Sequence, residues 1–297
     1  MKRTWLITGA SRGFGAEITK AVLAGGDRVI ATARNKASLE DVAGDENALT
    51  LDLDVTDPVQ IRAAVAAGLD RFGRIDVLVN NAGYGIIGAI EECSGAEVED
   101  VYRTNVFGLL NVTRAVLPAM RKLRSGHIIN MSSLGGYEAS PGWGIYCSTK
   151  FAVEGISEAL YKELAPLGIR VTVVEPGFFR TDFLDRSSLH GSGEQIADYA
   201  DIVGKTREFV SGHNHNQPGD PARLALAIVE VADAVEPPLR LPLGKDAIAR
   251  IVEKNSFVER ETSRWYSLAV STGYDEDARE EKDPNGKSSF NGVAHEN

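Results

Sequence analysis

Cysteine is scarce in this chain, with only Cys93 and Cys147 among 297 residues. The two are isolated, with neither metal-ligand spacing nor a disulfide framework, which points to a reducing compartment. Positive charge is also short, since 32 Lys and Arg against 42 Asp and Glu leave a formal net charge of −10. No basic stripe is available to neutralise phosphates, so no nucleic acid partner is expected. Long apolar runs are missing, and none approaches the roughly 20 residues of a membrane-spanning helix. Met1-Lys2-Arg3 runs directly into Trp5-Leu6-Ile7 and a glycine turn, leaving no room for a signal h-region, so the expected location is cytoplasmic. His213 and His215 have no cysteine and only Asp220 nearby in sequence, so they read as a polar loop and no metal is expected. No internal repeat is evident.

What the chain does have is alternation. Arg28–Thr32, Leu49–Leu53, Asp76–Asn80, His127–Met131 and Arg170–Val174 are β-branched, mostly apolar runs. Amphipathic stretches lie between them, at 59–72, 96–120 and 146–164. Strands alternating with helices predict an α/β fold: a single doubly wound Rossmann-type domain, its central parallel sheet covered by helices on both faces. The 43% hydrophobic content suits one sizeable core. The domain is expected over 1–272. A late helix opens at Pro221, a last strand covers Leu239–Pro242, and a C-terminal helix covers 246–271. Residues 273–297 are polar and expected to be disordered.

At the start, Trp5-Leu6-Ile7 leads into Thr8-Gly9-Ala10-Ser11-Arg12-Gly13-Phe14-Gly15, and Ala16–Leu23 reads as a helix. Glycines at 9, 13 and 15 permit torsions and close approaches that a Cβ would block, and a helix N-terminus offers free N–H groups to a pyrophosphate. The spacing Gly-x-x-x-Gly-x-Gly differs from the general dinucleotide fingerprint. An acidic residue at the end of the second strand would bind a ribose hydroxyl and repel a 2′-phosphate. From Arg28 to Asn35 there is no carboxylate. Arg34, with Arg12, offers guanidinium donors instead, which favours NADP(H) over NAD(H).

Lys150 follows Tyr146 by four positions, so on a helix both face one way, and an ammonium there can stabilise a phenolate. Of the chain's eight tyrosines only Tyr146 has lysine at this spacing. Ser132 and Ser133 close the strand ending at Met131, at the sheet edge where open α/β folds bind ligands. Such a group is suited to proton chemistry.

These residues resemble the classical short-chain dehydrogenase/reductase family from about Thr4 to Gly244, and the NADP(H)-preferring subgroup that includes steroid and retinol dehydrogenases. Thr8 to Gly15 is similar to the family's glycine turn, with Gly9, Ser11, Arg12, Gly13, Phe14 and Gly15 as cofactor contacts. Asp54-Val55 resembles its adenine-contacting pair, and Asn80-Asn81-Ala82-Gly83 its segment after the fourth strand. Asn105, Ser133, Tyr146 and Lys150 resemble its catalytic four, and Pro176-Gly177 with Thr181 its nicotinamide-carboxamide segment. The resemblance implies hydride transfer between nicotinamide C4 and a carbonyl or carbinol carbon. Tyr146 would be the acid/base and Lys150 would lower its pKa and hold the nicotinamide ribose. Ser133 would bond the substrate oxygen, and Asn105 would orient a relaying water. Ser132 fits the pattern less well than Ser133.

In this family residues 178–220 would form the substrate lid. Its apolar groups, Phe178, Phe179, Phe183, Leu184, Leu189, Tyr199 and Phe209, favour an apolar or aromatic carbonyl or alcohol as the small-molecule substrate. Trp143 is open to either a pocket-lining or a packing role, and Cys147 reads as a packed thiol. A carbonyl reductase is the main expectation. A catalytically silent NADPH-binding redox sensor is the alternative, opposed by the intact Tyr146 and Lys150. An epimerase or dehydratase would need other glycine spacing and a larger C-terminal substrate domain. A homo-oligomer is left open.

Overall fold

The computed structural model describes residues 2–274. In chain order the described strands are β1 (Thr4–Thr8), β2 (Arg28–Ala33), β3 (Ala48–Asp52), β4 (Val77–Asn80), β5 (Gly85–Ile87), β6 (Gly126–Met131), β7 (Ile169–Pro176), β8 (Leu189–Gly191) and β9 (Arg240–Leu243). The helices are α1 (Gly13–Ala24), α2 (Pro58–Phe72), α3 (Gly95–Tyr102), α4 (Leu109–Leu123), α5 (Gly144–Leu164), α6 (Lys205–His213), α7 (Pro221–Asp233), α8 (Lys245–Arg264) and α9 (Tyr266–Val270).

Seven strands form one sheet in the order β3-β2-β1-β4-β6-β7-β9, and every pairing is parallel. Parallel strands need crossovers, and the crossover helices cover both faces, so the strands are mostly apolar rather than alternating with polar residues. The pleat divides the core in two. Trp5 and Ile7 of β1 pack with Ile18, Val22, Leu224 and Ile228 from α1 and α7. Leu6, between them, packs with Ile61, Val65, Val112, Val116 and Met120 from α2 and α4. The chain runs outward from β1 to β3, then restarts at β4 on the other side of β1. At such a switch point the loops after neighbouring strands diverge and open a crevice at the carboxyl edge of the sheet.

Local chemistry sets the helix ends. Asp57 accepts from Val59 N and Gln60 N, and Pro58, which has no N–H to lose, opens α2. Those backbone donors hold the Asp57 carboxyl below its usual range. Ser94 and Glu97 form a reciprocal capping box for α3. The helix expected over 96–120 is instead three pieces, because a wider π-turn over Arg103–Gly108 separates α3 from α4. Gly108 lies close to Val55, and a Cβ there would meet Val55 Cγ2 at 2.6 Å. Apolar periodicity continues through the turn, so the sequence pattern does not register it.

The lid region is more ordered than a loop. It contains β8, which pairs with β5 in a separate two-stranded parallel sheet, and α6. Three-residue strands carry too little pattern to be expected from sequence.

Contacts divide the chain into one unit running to Val252 and a second beginning at Glu253. In the second, Phe257, Val258, Trp265, Tyr266, Leu268 and Val270 are exposed. The C-terminal helix expected over 246–271 is broken at Trp265, whose φ of −103° and ψ of 9° leave the helical range. The expected disordered tail lies outside the described residues from position 275 onward. Among the described residues no helix is long and apolar enough to cross a membrane.

Candidate active site

The turn after β1 is fixed to the turn after β4. Thr8 Oγ1 accepts from Asn81 N and Ala82 N, both at 3.0 Å, while Asn81 Nδ2 donates to the carbonyls of Thr8 and Gly9 at 2.9 and 3.0 Å. Gly9 has φ +66° and Gly13 φ +53°, torsions that favour glycine. Gly15 is demanded by approach rather than torsion: a Cβ there would stand 2.1 Å from the Gly9 carbonyl oxygen and 2.6 Å from Asn81 Nδ2. Gly15→Ala should therefore force the turn apart. We expect a stability loss of about 1–3 kcal/mol with weakened nucleotide binding, measured by denaturant melts and nucleotide fluorescence; unchanged binding would show that the turn is not the cradle.

A cavity of about 1070 Å³ follows the carboxyl edge of the sheet. Its lining takes Gly9, Ser11, Arg12, Gly13 and Phe14 from the first turn, Arg34 after β2, Asp54 and Val55 after β3, and Asn81, Ala82 and Gly83 after β4. Ser133 follows β6, Tyr146 and Lys150 come from α5, and Pro176, Gly177 and Thr181 close the ring after β7. Two expected residues stay off the wall. Gly15 packs behind the turn, and Asn105 is buried beneath it, donating to Tyr84 O at 2.8 Å and accepting from Tyr84 N at 3.0 Å.

The cavity fits a dinucleotide on two observations of its own chemistry. Arg12, at the N-cap of α1, makes no side-chain cap bond, so the first turn's N–H groups have no side-chain acceptor there and can meet an anion. Gly9 and Gly13, both at positive φ, bring bare backbone to the cavity wall. Arg34 is exposed at the rim and, among the described residues, has no ion-pair partner. Arg12 Nη2 donates to the Ser187 carbonyl at 2.8 Å, tying the turn to the segment before β8. Asp54 holds its own loop, accepting from Thr56 N and Oγ1 at 2.8 and 2.7 Å.

Deeper in, a Cβ at Gly135 would lie 3.0 Å from Cys147 Sγ, 3.5 Å from Ser133 Oγ and 3.6 Å from Tyr146 Cε1. Ser133 and Tyr146 are thus brought together. Ser132 Oγ is turned elsewhere, beside Gly136 and Glu154. Trp143 packs edge-on against Tyr146 with centroids 5.7 Å apart, and Phe183 reaches the same ring at 5.4 Å. Trp143 therefore both lines the cavity and packs. Lys150 Nζ donates to Met131 O at 2.8 Å and stands 5.7 Å from the centre of the Tyr146 ring.

Burial dominates the charges. It pushes the Tyr146 phenol well above its ordinary range, the Ser133 hydroxyl drawing it part of the way back. Burial likewise pulls Lys150 down to about 8, opposed by the charge of Glu154. Cys147 is raised by burial, an inert thiol rather than a nucleophile.

Several lining groups lie beyond the sequence reading. Tyr84 and His190 meet with centroids 4.9 Å apart. Arg250 grips Glu138 with two bonds of 2.7 and 2.8 Å. Behind the wall, Asp246 accepts from Phe178 N at 2.7 Å and holds the turn after β7. These come from segments far apart in sequence and without motif spacing; only the fold assembles them. His215 pairs with Asp185 at 3.2 Å, with Asp182 alongside, which accounts for the polarity of that loop.

The chain is similar to known proteins. Oxidoreductase BOA17 of Botryotinia fuckeliana is 38% identical, over 92% of this chain and 100% of its own. The 3-ketodihydrosphingosine reductase of Bacteroides thetaiotaomicron is 41% identical, over 80% of this chain and 87% of its own. A crystal structure of a short-chain dehydrogenase from Streptomyces avermitilis is 43% identical with a TM-score of 0.86, covering 92% of this chain and 100% of that one. Less similar solved structures, 27% and 29% identical with TM-scores of 0.70 and 0.67, hold NADP and NADH respectively. The sequence profile of the short chain dehydrogenase family matches residues 3–190, spanning the glycine turn, α5 and most of the sheet that joins them. The chain belongs to the short-chain dehydrogenase family of oxidoreductases.

Proposed function

We propose that this protein is an NADPH-dependent reductase of an apolar ketone or aldehyde, with Tyr146 as proton donor. The observation that carries the reading is the pairing of buried Tyr146 with half-buried Ser133 on the cavity wall, with Lys150 one turn along α5. The first-turn glycines would hold the pyrophosphate, Arg34 the 2′-phosphate, Asp54 and Val55 the adenine side, and Lys150 with Pro176–Thr181 the nicotinamide side. When bound, the reduced nucleotide supplies hydride to the carbonyl carbon. Tyr146 then donates its phenolic proton to the oxygen gaining charge, and the Ser133 hydroxyl donates a second hydrogen bond to that oxygen. A phenol raised by burial keeps its proton at neutral pH, the state reduction requires. Asn105 Oδ1 and Lys150 Nζ both border Gly83, at 3.0 and 3.9 Å from where its Cβ would be. The missing side chain leaves room there for a water that returns the proton.

Trp143, Phe178, Phe183, Leu184 and Phe209 give the wall an apolar stretch, and residues 178–220 act as the lid that supplies most of it. The relative named for a 3-ketodihydrosphingosine agrees with a ketone as substrate. Free Cys93 and Cys147 suit a cytoplasmic setting. A screen of aldehydes and ketones of graded chain length, following NADPH and NADH absorbance, tests the reading; oxidation of neither nucleotide with any carbonyl would overturn it.

Cofactor preference has its own test. Arg34→Asp removes a donor and adds a like charge beside a 2′-phosphate. We expect KM for NADPH to rise about 10-fold or more, the scale of a lost charged hydrogen bond, with that for NADH nearly unchanged. Equal losses for both would remove Arg34 from the ribose.

A further inference from the structure

One turn beyond Lys150 on α5, Glu154 is 5% exposed and does not line the cavity. Arg240 Nη1 binds Glu154 Oε2 and also Glu175 Oε1, the latter at 2.9 Å. The other nitrogen of the same guanidinium is 3.6 Å from the exposed Glu158, and Tyr137 lies under it at 5.7 Å. The buried charges do not balance locally, because two carboxylates share one guanidinium.

Lys150 has the opposite deficit. Its ammonium is buried, its one protein hydrogen bond is to the neutral Met131 carbonyl, and among the described residues no carboxylate lies within ion-pair distance of it. A buried ammonium without a counter-charge is unstable relative to the free amine. The nearest candidate counter-charge along its own helix is Glu154.

The inner end of the cluster reaches the strand that carries the site. Glu154 Oε1 and Ser132 Oγ are both out of solvent and lie beside one another. Both crowd one point, since a Cβ on Gly136 would lie 2.4 Å from Ser132 Oγ and 3.0 Å from Glu154 Oε1. Ser132 sits between Met131, which holds Lys150, and Ser133.

We propose that Glu154 is a positioning residue for the reductase reading above: its carboxylate, fixed by Arg240 beside Glu175, is the surplus buried charge that keeps Lys150 an ammonium. The balance is two-sided: burial lowers Lys150 while the charge of Glu154 raises it, and burial with Glu175 raises Glu154 toward its neutral acid, while Ser132 and Arg240 hold it as the carboxylate. The groups facing Glu154 are Lys150 and Glu158 on α5, Glu175 on β7, Arg240 on β9, and Ser132 after β6.

The test reads Lys150 directly. Competitive acetylation of the nucleotide-free protein between pH 6 and 10, quantified on the Lys150 peptide by mass spectrometry, gives the midpoint of its titration without turnover. Glu154→Gln should lower that midpoint by about one pH unit, as expected for removing one charge at short range in a partly shielded interior. The high-pH limb of carbonyl reduction should fall with it, and Glu154→Asp should restore both. Glu175→Gln leaves Arg240 to Glu154 alone, so Lys150 should titrate at or above the parent value. An unmoved midpoint in folded Glu154→Gln overturns the proposal, as does a lowered midpoint in Glu175→Gln; the second holds even if Glu154→Gln does not fold. A parent that reduces no carbonyl while Lys150 still responds to Glu154→Gln would sink the reductase reading and leave the charge assignment standing.

Discussion

Tyr146→Phe should keep the fold and bind NADPH, yet lose about 10²- to 10⁴-fold in kcat for carbonyl reduction, the usual worth of a positioned general acid. The ring is preserved, so its contacts with Trp143 and Phe183 survive, and the loss isolates the oxygen. Because burial raises the phenol, the parent rate in the reductive direction should show no fall between pH 6 and 8 from Tyr146 losing its proton. Stopped-flow NADPH oxidation and nucleotide fluorescence separate chemistry from binding. Near-normal turnover in Tyr146→Phe would mean that another group delivers the proton. Ser133→Ala should cost less, since the substrate oxygen keeps Tyr146 as donor, and Ser132→Ala least, because Ser132 Oγ is turned toward Glu154.

Much of this site could be read before folding because its residues act through backbone-local geometry. The Thr8–Gly15 turn and the Tyr146/Lys150 spacing each put their chemistry within one turn of a single element, and a motif records that. The sheet was legible for a similar reason: parallel strands buried on both faces read as unbroken apolar runs. What the sequence hid depends on distance. Arg240 meets Glu154 across 86 positions, and Arg250 meets Glu138 across 112; no spacing rule links such pairs. The π-turn that carries Asn105 is invisible because the apolar face runs through it unbroken, while its cause, the close approach of Gly108 to Val55, is tertiary. The burial of the pair also escaped, because spacing says that a lysine is near the tyrosine and only the fold buries both side chains.

Lys150→Met should separate activity from stability. Activity should fall at least as far as in Tyr146→Phe, and nucleotide affinity should fall too, because the ribose side loses its donor. The fold should nevertheless gain. Lys150 is only 8% exposed, and its pKa drops from 10.5 to about 8 on folding, so below pH 8 both states are charged and the native state alone carries the burial penalty. Between about 8 and 10.5 the native state releases its proton first, and parent stability rises with pH. Above that range the penalty has gone. Methionine removes the charge at every pH, so the variant should exceed the parent by about 2 kcal/mol at pH 7, taken as the shift less a lost hydrogen bond to Met131 O. The advantage should shrink steadily as the pH is raised toward 10. Urea melts of both proteins at pH 7 and pH 10 measure it; a variant less stable at pH 7, or a gain that does not fade with pH, would show that Lys150 is not a buried ammonium held against its solvation for the sake of the reaction.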